Sequence, residues 1–231
     1  MAIINSVIVS GGGSAPAHYI EKTVDANGVL QNSSNCIDLT GVTDIGDYVL
    51  AGAYKNNGVI TGSVDMSDLT TISGICACLE MFNNSMITGF DLSALTTVSG
   101  DDACNAMFNG SYITSANLPA LTTISGNWGC AGMFQNTPML TSANLPALTT
   151  ISGDSALSYM FYNCPLLTTV YIGGTTAINF GTYTNQFDSV FDNSPQNIDV
   201  YAPAASQSQI ESFSGYPNFG ATGTVTWHWR S

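Results

Sequence analysis

The hydrophobic and polar positions of this chain recur every 26 or 27 residues. The string Leu-Thr-Thr-Ile/Val-Ser-Gly occurs four times, beginning at Leu69, Leu95, Leu121 and Leu148, and a Met-Phe pair follows each copy. A fixed period of this length indicates stacked supersecondary units that bury their apolar faces against one another. We therefore predict a repeat solenoid of six to seven coils over residues 35–203.

Two short strands are predicted in each coil. The string Leu-Thr-Thr-Ile alternates apolar and hydroxyl residues, so one strand turns Leu and Ile inward and Thr outward. The other strand carries one inward apolar residue per coil: Leu39, Met66, Leu92, Leu118, Leu145, Ile172 and Val200. The segment that ends at Met-Phe, for example residues 156–161, is predicted to form one or two helical turns with a buried aromatic ring.

An amide recurs shortly after each Met-Phe pair. Its positions are Asn56, Asn84, Asn136, Asn163 and Asn193, with Gly110 once in its place. Asn and Gly tolerate a left-handed backbone, which predicts a turn at this position. Stacked amides from successive coils can also satisfy hydrogen bonds between the coils.

The motif of residues 160–170 reads Met-Phe-x-Asn-Cys-Pro-x-Leu-Thr-x-Val. Together with the Leu-Thr-Thr-Ile-Ser-Gly string, it resembles the BspA-like branch of leucine-rich repeats. That branch occurs in bacterial surface adhesins and in gut bacteriophage structural proteins. The resemblance spans about residues 37–203 and implies short parallel strands, short helices and a role in adhesion or recognition.

Both ends of the chain depart from the repeat. Residues 1–34 combine a strand-like run with a Gly/Ser linker, and the run contains Ile3, Ile4, Val7, Ile8 and Val9. This segment is interpreted as a docking arm that adds a strand to a partner; the alternatives are a disordered tail or a hairpin that caps the first coil. Residues 204–231 are predicted to form a cap, with a short helix and a closing strand whose tryptophans cover the last coil or offer a platform to a sugar.

Charge argues against several classes of partner. The chain has 16 acidic and 3 basic side chains, and its net charge is −13. Without a basic patch, binding to nucleic acid or to anionic lipid is not expected. No segment approaches the ~20 apolar residues that span a bilayer, and the N-terminal run lacks the features of a secretory signal. We therefore expect no membrane insertion and synthesis in the cytoplasm.

The cysteines follow the repeat. Cys78, Cys104 and Cys130 each precede Met-Phe by three residues, and Leu157 holds the next equivalent position. A position that accepts Cys or Leu is a core position, so reduced and buried thiols are predicted. The cysteine spacing does not match a zinc site, and no nucleophile or phosphate-binding motif occurs. We therefore expect no catalytic residues, no metal and no cofactor.

Three aromatic residues break the repeat. Trp128, Tyr112 and Tyr162 stand where other copies carry smaller or polar residues. Exposed aromatic side chains on a polar surface are typical of a face that binds carbohydrate or protein. The alternative is local packing between loops.

These features favour a non-enzymatic bacteriophage virion protein of the fibre, decoration or receptor-binding type. Its arm would dock on other virion proteins, and its repeats would face a glycan or protein of the host surface. Assembly would occur in the host cytoplasm, and formation of a homo-oligomer is compatible with this role. The alternative is a bacterial surface adhesin or a secreted interaction module.

Overall fold

The computed structural model describes residue 39, residues 41–231 and the backbone of two strands nearer the N-terminus. The chain forms a parallel β-solenoid of about seven turns with few helices. The prediction of a repeat solenoid is therefore confirmed. The strands are β1 (Ala2–Val9), β2 (His18–Val24), β3 (Asp44–Ile45), β4 (Thr61–Asp65), β5 (Thr71–Ile72), β6 (Met86–Asp91), β7 (Thr97–Val98), β8 (Ser115–Asn117), β9 (Thr123–Ile124), β10 (Ser142–Leu145), β11 (Thr150–Ile151), β12 (Thr169–Ile172), β13 (Ile198–Pro203) and β14 (Val225–Arg230).

One face of the solenoid is the parallel sheet β3-β5-β7-β9-β11. Strands β5, β7, β9 and β11 come from the four copies of the Leu-Thr-Thr-Ile/Val string, and β3 comes from the related residues Val-Thr-Asp-Ile at 42–45. The Leu and Ile side chains of the string are buried as predicted. The first Thr of the string contributes a contact that the sequence did not reveal. The hydroxyl groups of Thr96 and Thr122 donate to the backbone oxygens of Thr70 and Thr96, each one coil earlier, at 3.0 Å.

A second face consists of the pair β4-β6 and the five-stranded sheet β8-β10-β12-β13-β14. The inward residues predicted for this strand position are all buried. In the last coil, however, the register pairs Val200 with Val170, so the buried Ala202, and not the predicted Val200, follows Ile172 in this column. The sheet is interrupted between β6 and β8, next to Phe90. The Phe90 ring stacks on Phe108 at 4.7 Å and on Phe134 at 5.7 Å, where the equivalent positions carry Ala116 and Ala143.

The third face differs from the predicted helix. In residues 101–111, the N–H groups of Asp102, Cys104, Ala106, Phe108 and Gly110 donate to backbone oxygens of the next coil at 2.8–2.9 Å. The intervening N–H groups donate three residues back within the coil. We call this arrangement, and its equivalents at residues 48–57, 75–85, 127–137 and 154–164, the turn ribbon. An α-helix would instead direct every N–H four residues back along its own chain.

The turn ribbon has a period of four residues. Asp102, Ala106 and Gly110 have φ of 54°, 51° and 69°, in the left-handed region. The pairs Ala103-Cys104 and Met107-Phe108 between them are buried. The last left-handed position in each coil is the predicted Asn or Gly, so the prediction of a turn there is confirmed. The amides also join neighbouring coils, because Asn163 Nδ2 donates to Asn136 Oδ1 at 2.8 Å.

The core consists of side-chain columns that run along the solenoid. In the aromatic column, successive ring centroids are 5.5–6.1 Å apart and the planes differ by 4–13°. Its members are Tyr54, Phe82, Phe108, Phe134, Phe161 and Phe191. The predicted burial of the aromatic ring is therefore confirmed, although the segment is not helical. The stacking spreads the burial of each ring over two neighbouring coils.

A glycine column sets the closest approach between coils. A Cβ atom on Gly100, Gly126 or Gly153 would overlap with the backbone oxygen of the equivalent glycine one coil earlier. The Gly of the Ser-Gly pair therefore has two roles. It ends the strand, and it lets the backbones of adjacent coils come into contact. Any side chain at this position would force two coils apart.

The C-terminal cap covers the last coil. A 3₁₀ helix (Ala204–Ser206) leads into helix α1 (Gln207–Ile210), and Ile210 and Phe213 are buried. Strand β14 then pairs in parallel with β13. Trp227 and Trp229 pack against the core with their rings stacked at 5.5 Å, and the Trp227 indole N–H donates to the Pro217 oxygen at 2.9 Å. The tryptophans thus cover the last coil, as predicted.

At the N-terminal end, β1 and β2 form an antiparallel pair. The strand-like run predicted from the sequence corresponds to β1. The side chains of Ile3, Ile4, Val7, Ile8 and Val9 lie outside the described residues. Their assignment to a docking arm therefore stays a prediction.

We expect Gly126→Ala to lower the free energy of unfolding by about 3 kcal/mol, because the methyl group overlaps the Gly100 backbone. The matched control is Gly58→Ala, where the methyl group meets nothing within 4 Å and should cost no stability. Denaturant titration of both variants measures the difference. Equal stability would show that the coils can separate without cost.

Candidate functional site

The three aromatic residues singled out by the sequence occupy three different positions of the repeat. Trp128 is 39% exposed at the first left-handed position of the turn ribbon, with φ of 54°. Tyr112 is 45% exposed just beyond the end of the ribbon, one coil earlier. Tyr162 lies near the ribbon end one coil later, where it is half-buried. The structure does not gather them into one cluster.

Tyr162 is held by its neighbours. Its hydroxyl accepts a hydrogen bond from Asn193 Nδ2 at 2.7 Å, and its ring lies 6.1 Å from that of Tyr159 at a tilt of 57°. This is the local packing that was the alternative to a binding role. Trp128 and Tyr112 are more exposed than Tyr162, and their role in binding stays a prediction.

A column of exposed apolar side chains follows the turn ribbon, and Tyr112 belongs to it. One apolar residue from each of five consecutive coils is 43–49% exposed. We call these residues the apolar column: Val59, Met86, Tyr112, Met139 and Leu166. Because parallel strands in a sheet are ~4.8 Å apart, the column extends about 19 Å along the solenoid.

Sequence reasoning missed this column because the residue type changes from coil to coil. A signal was nevertheless present. Met86, Tyr112, Met139 and Leu166 each directly precede a buried Ile or Leu that restarts the core. Adjacent residues in extended chain face opposite sides, so an apolar residue next to a buried one is directed outward.

A second exposed feature lies near the C-terminal end of the solenoid. The parallel register of β12, β13 and β14 places Tyr171, Tyr201 and His228 side by side. The rings stack at centroid distances of 4.5 Å and 4.6 Å, with planes within 15°. We call these three residues the aromatic tier. Their side chains alternate with the inward-facing Val170, Val200 and Trp227 and therefore project from the outer face of the sheet.

Charged groups flank the aromatic tier on both sides. His228 Nε2 lies 2.8 Å from Asp199 Oδ1, and both side chains are about half exposed. On the other side, the Arg230 guanidinium lies 5.7 Å from the centre of the Tyr171 ring, and its Nη1 donates to the Gly173 oxygen at 3.2 Å. Because the rings stack face to face, the tier presents their outer edges and the phenol groups between a carboxylate and a guanidinium.

Most polar side chains of the turn ribbon are engaged within the solenoid. The Asp101 carboxylate accepts the backbone N–H of Asn127 at 2.8 Å, and the Asn127 side chain accepts the N–H of Asp154 at 2.9 Å. Asp102 accepts from Asn105 Nδ2 at 2.7 Å. These carboxylates and amides join adjacent coils or stabilise turns.

The thiols belong to the core. Cys78, Cys104, Cys130 and Cys164 are free and buried, and Cys76 is free and half-buried. Burial raises the pKa of Cys78, and a hydrogen bond with Cys130 together with burial raises that of Cys104. Burial raises the pKa of Cys164 to about 12, and its thiol donates to the Phe134 oxygen at 3.2 Å. Reduced, buried thiols were predicted at these positions.

Within the described residues, no group of three or more His, Cys, Asp or Glu side chains is arranged to hold a metal ion. None of the helices in this part of the chain has the length and apolar character needed to cross a bilayer. Comparison with models of protein families, with curated proteins and with solved structures finds no match for this chain.

We expect Phe134→Ala to cost about 3–5 kcal/mol of stability, because it removes a fully buried ring from the aromatic column. Trp128→Ala should change the free energy of unfolding by less than about 0.5 kcal/mol, since the Trp128 side chain is exposed. The backbone at residue 128 is also left-handed, a conformation that disfavours a large side chain, so loss of the indole carries no backbone penalty. Thermal or denaturant unfolding distinguishes the two. Equal losses would show that Trp128 is part of the packing.

We expect Cys78, Cys104, Cys130 and Cys164 to resist alkylation in the folded protein near neutral pH. Burial excludes the reagent and, where it raises the pKa, keeps the thiol protonated. Cys76 should react ahead of them, and all should react in denaturant. Mass spectrometry of labelled peptides reads out each site; rapid labelling of Cys104 in the native state would contradict the buried assignment.

Proposed function

We propose that this protein is a non-enzymatic recognition protein of a bacteriophage particle, of the fibre, decoration or receptor-binding type. The observation that carries the proposal is the apolar column, in which five consecutive coils each expose one apolar side chain. Apolar surface that is repeated along one line marks a site of contact with another molecule more often than scattered exposed residues do.

The solenoid suits the display of such a surface. Backbone hydrogen bonds join equivalent residues of adjacent coils, and the side-chain ladders add further bonds between the coils. The exposed columns are therefore held in place before any partner binds. A preorganised surface loses little conformational entropy on binding.

Assignment to a virion rests on the sequence. The BspA-like resemblance points to adhesion or recognition, and the apolar N-terminal strand suits docking on other virion proteins. The net charge of −13 disfavours nucleic acid and anionic lipid as partners. Among the described cations, Lys55 pairs with Glu80 at 2.6 Å and Arg230 contacts Gly173, so little positive charge is available to an acidic partner.

The decisive experiment is mass spectrometry of purified phage particles and of cell envelopes from the native source. We expect peptides of this chain in the particles, at a constant ratio to the major structural proteins. Recovery in the envelope or culture fluid instead, preceded by a cleaved signal, would favour the bacterial surface adhesin or secreted module and overturn the virion assignment.

A second experiment tests the apolar column. We expect Tyr112→Asp combined with Met139→Asp to reduce binding of the purified protein to host cells at least about tenfold, because two charges interrupt a continuous apolar contact. The matched control is Tyr183→Asp, which changes a similarly exposed tyrosine outside the column. Equal binding by both variants would show that the column is not the contact surface.

A further inference from the structure

We infer that the aromatic tier, with Asp199 and Arg230, is a binding site for a neutral saccharide. This inference rests on the proposed recognition function and names one ligand class and one site for it. The site is separate from the apolar column and from the three aromatic residues that the sequence singled out. It contains Tyr171, Tyr201 and His228 on three neighbouring strands.

The aromatic tier occupies a strand position that carries polar side chains in the earlier coils. The equivalent outward positions in earlier coils are Asn117 and Asn144, whose amides bond to each other at 3.0 Å, and before them Asp91. These polar side chains give way to stacked rings only at the C-terminal end of the sheet. The rings face away from the core, so capping of the last coil, which Trp227 and Trp229 provide, does not account for them.

Polar groups at the tier are available to a ligand. The hydroxyl groups of Tyr171 and Tyr201 form no hydrogen bond with any other described residue, although their rings are only 4.5 Å apart. Asp199 uses Oδ1 for His228 and retains Oδ2, and Arg230 uses Nη1 for Gly173 and retains its other donors. Phenol, carboxylate and guanidinium groups together supply both acceptors and donors.

This combination matches the chemistry of a sugar. A saccharide carries hydroxyl groups that both donate and accept, on a ring whose C–H faces are apolar. Tyrosine offers an apolar body with a polar tip, and a few oriented polar groups fix the ligand on that surface. A purely apolar ligand would leave Asp199 and the phenol groups without partners, which is unfavourable once they are covered.

Charge selects a neutral saccharide over an acidic one. Asp199 lies within the site, and the whole chain carries a net charge of −13. Arg230 is the one arginine or lysine that the described residues place at the tier. A sialylated or sulfated sugar would approach against this potential, whereas a neutral hexose or N-acetylhexosamine would not.

The test begins with the purified full chain on an array of neutral oligosaccharides of hexose and N-acetylhexosamine units, beside their sialylated and sulfated counterparts. We expect saturable binding to at least one neutral series and weaker binding to its acidic counterparts. The strongest neutral oligosaccharide is then titrated by calorimetry. Failure of every neutral sugar to bind, or a preference for the acidic forms, would overturn the inference.

Variants assign the binding to the tier. We expect Tyr201→Ala to weaken binding at least tenfold, because it removes the central ring. Tyr171→Phe combined with Tyr201→Phe keeps both rings and should weaken binding about three- to tenfold through loss of the hydroxyl groups. The matched control, Tyr183→Ala, removes an exposed tyrosine that lies outside both the tier and the apolar column, and it should leave the affinity unchanged.

The outcomes separate this inference from the proposed function. Wild-type affinity in the double Phe variant and in Tyr201→Ala would place any sugar binding elsewhere and overturn the assignment. If the chain is present in phage particles but binds no neutral sugar, the site assignment fails and the virion role stands. If it binds sugar through the tier but is recovered only from envelopes, the site stands and the virion role fails.

Discussion

Backbone hydrogen bonding between equivalent residues of adjacent coils is the constraint on which the rest of the structure depends. It fixes the rise from one coil to the next at about the spacing of strands in a sheet. At this rise, Gly126 has no room for a Cβ atom beside the Gly100 oxygen, and the rings of the aromatic column stack at 5.5–6.1 Å. The glycine and aromatic positions of the repeat are both consequences of one repeated distance.

The same rise determines what the surface can display. Side chains at one repeat position lie above one another, so each position forms a column, and several columns keep one chemical character from coil to coil. Hydroxyl and amide columns bond to themselves or to the backbone, as Thr122 and Asn163 do. Columns whose side chains cannot bond to one another, such as the apolar column, remain exposed. Charged residues make up only 8% of the chain. Many of its polar side chains are instead hydroxyls and amides that form bonds between coils.

The turn ribbon shows where sequence reasoning reached its limit. The segment ending at Met107-Phe108 buries two adjacent residues in every four, and over ten residues this pattern cannot be told from the 3.6-residue period of a helix. The difference lies in the backbone: alternate N–H groups bond to the next coil, so Asp102 and Ala106 take left-handed φ. Only the Asn or Gly at the end of the ribbon signals this conformation in the sequence, because those residues tolerate it well.

The sequence by itself determined the solenoid, the identity of its core columns, the buried thiols and the capping role of the C-terminal tryptophans. It could do so because an apolar residue repeated at a fixed spacing must face the same interior in every coil. Only the tertiary structure decided which exposed residues become neighbours. Tyr171 and Tyr201 follow the paired Val170 and Val200, whereas His228 lies outside the repeat and joins them because β14 continues the sheet in parallel with β13. The repeat encodes the columns, but residues that depart from it acquire neighbours only through strand pairing.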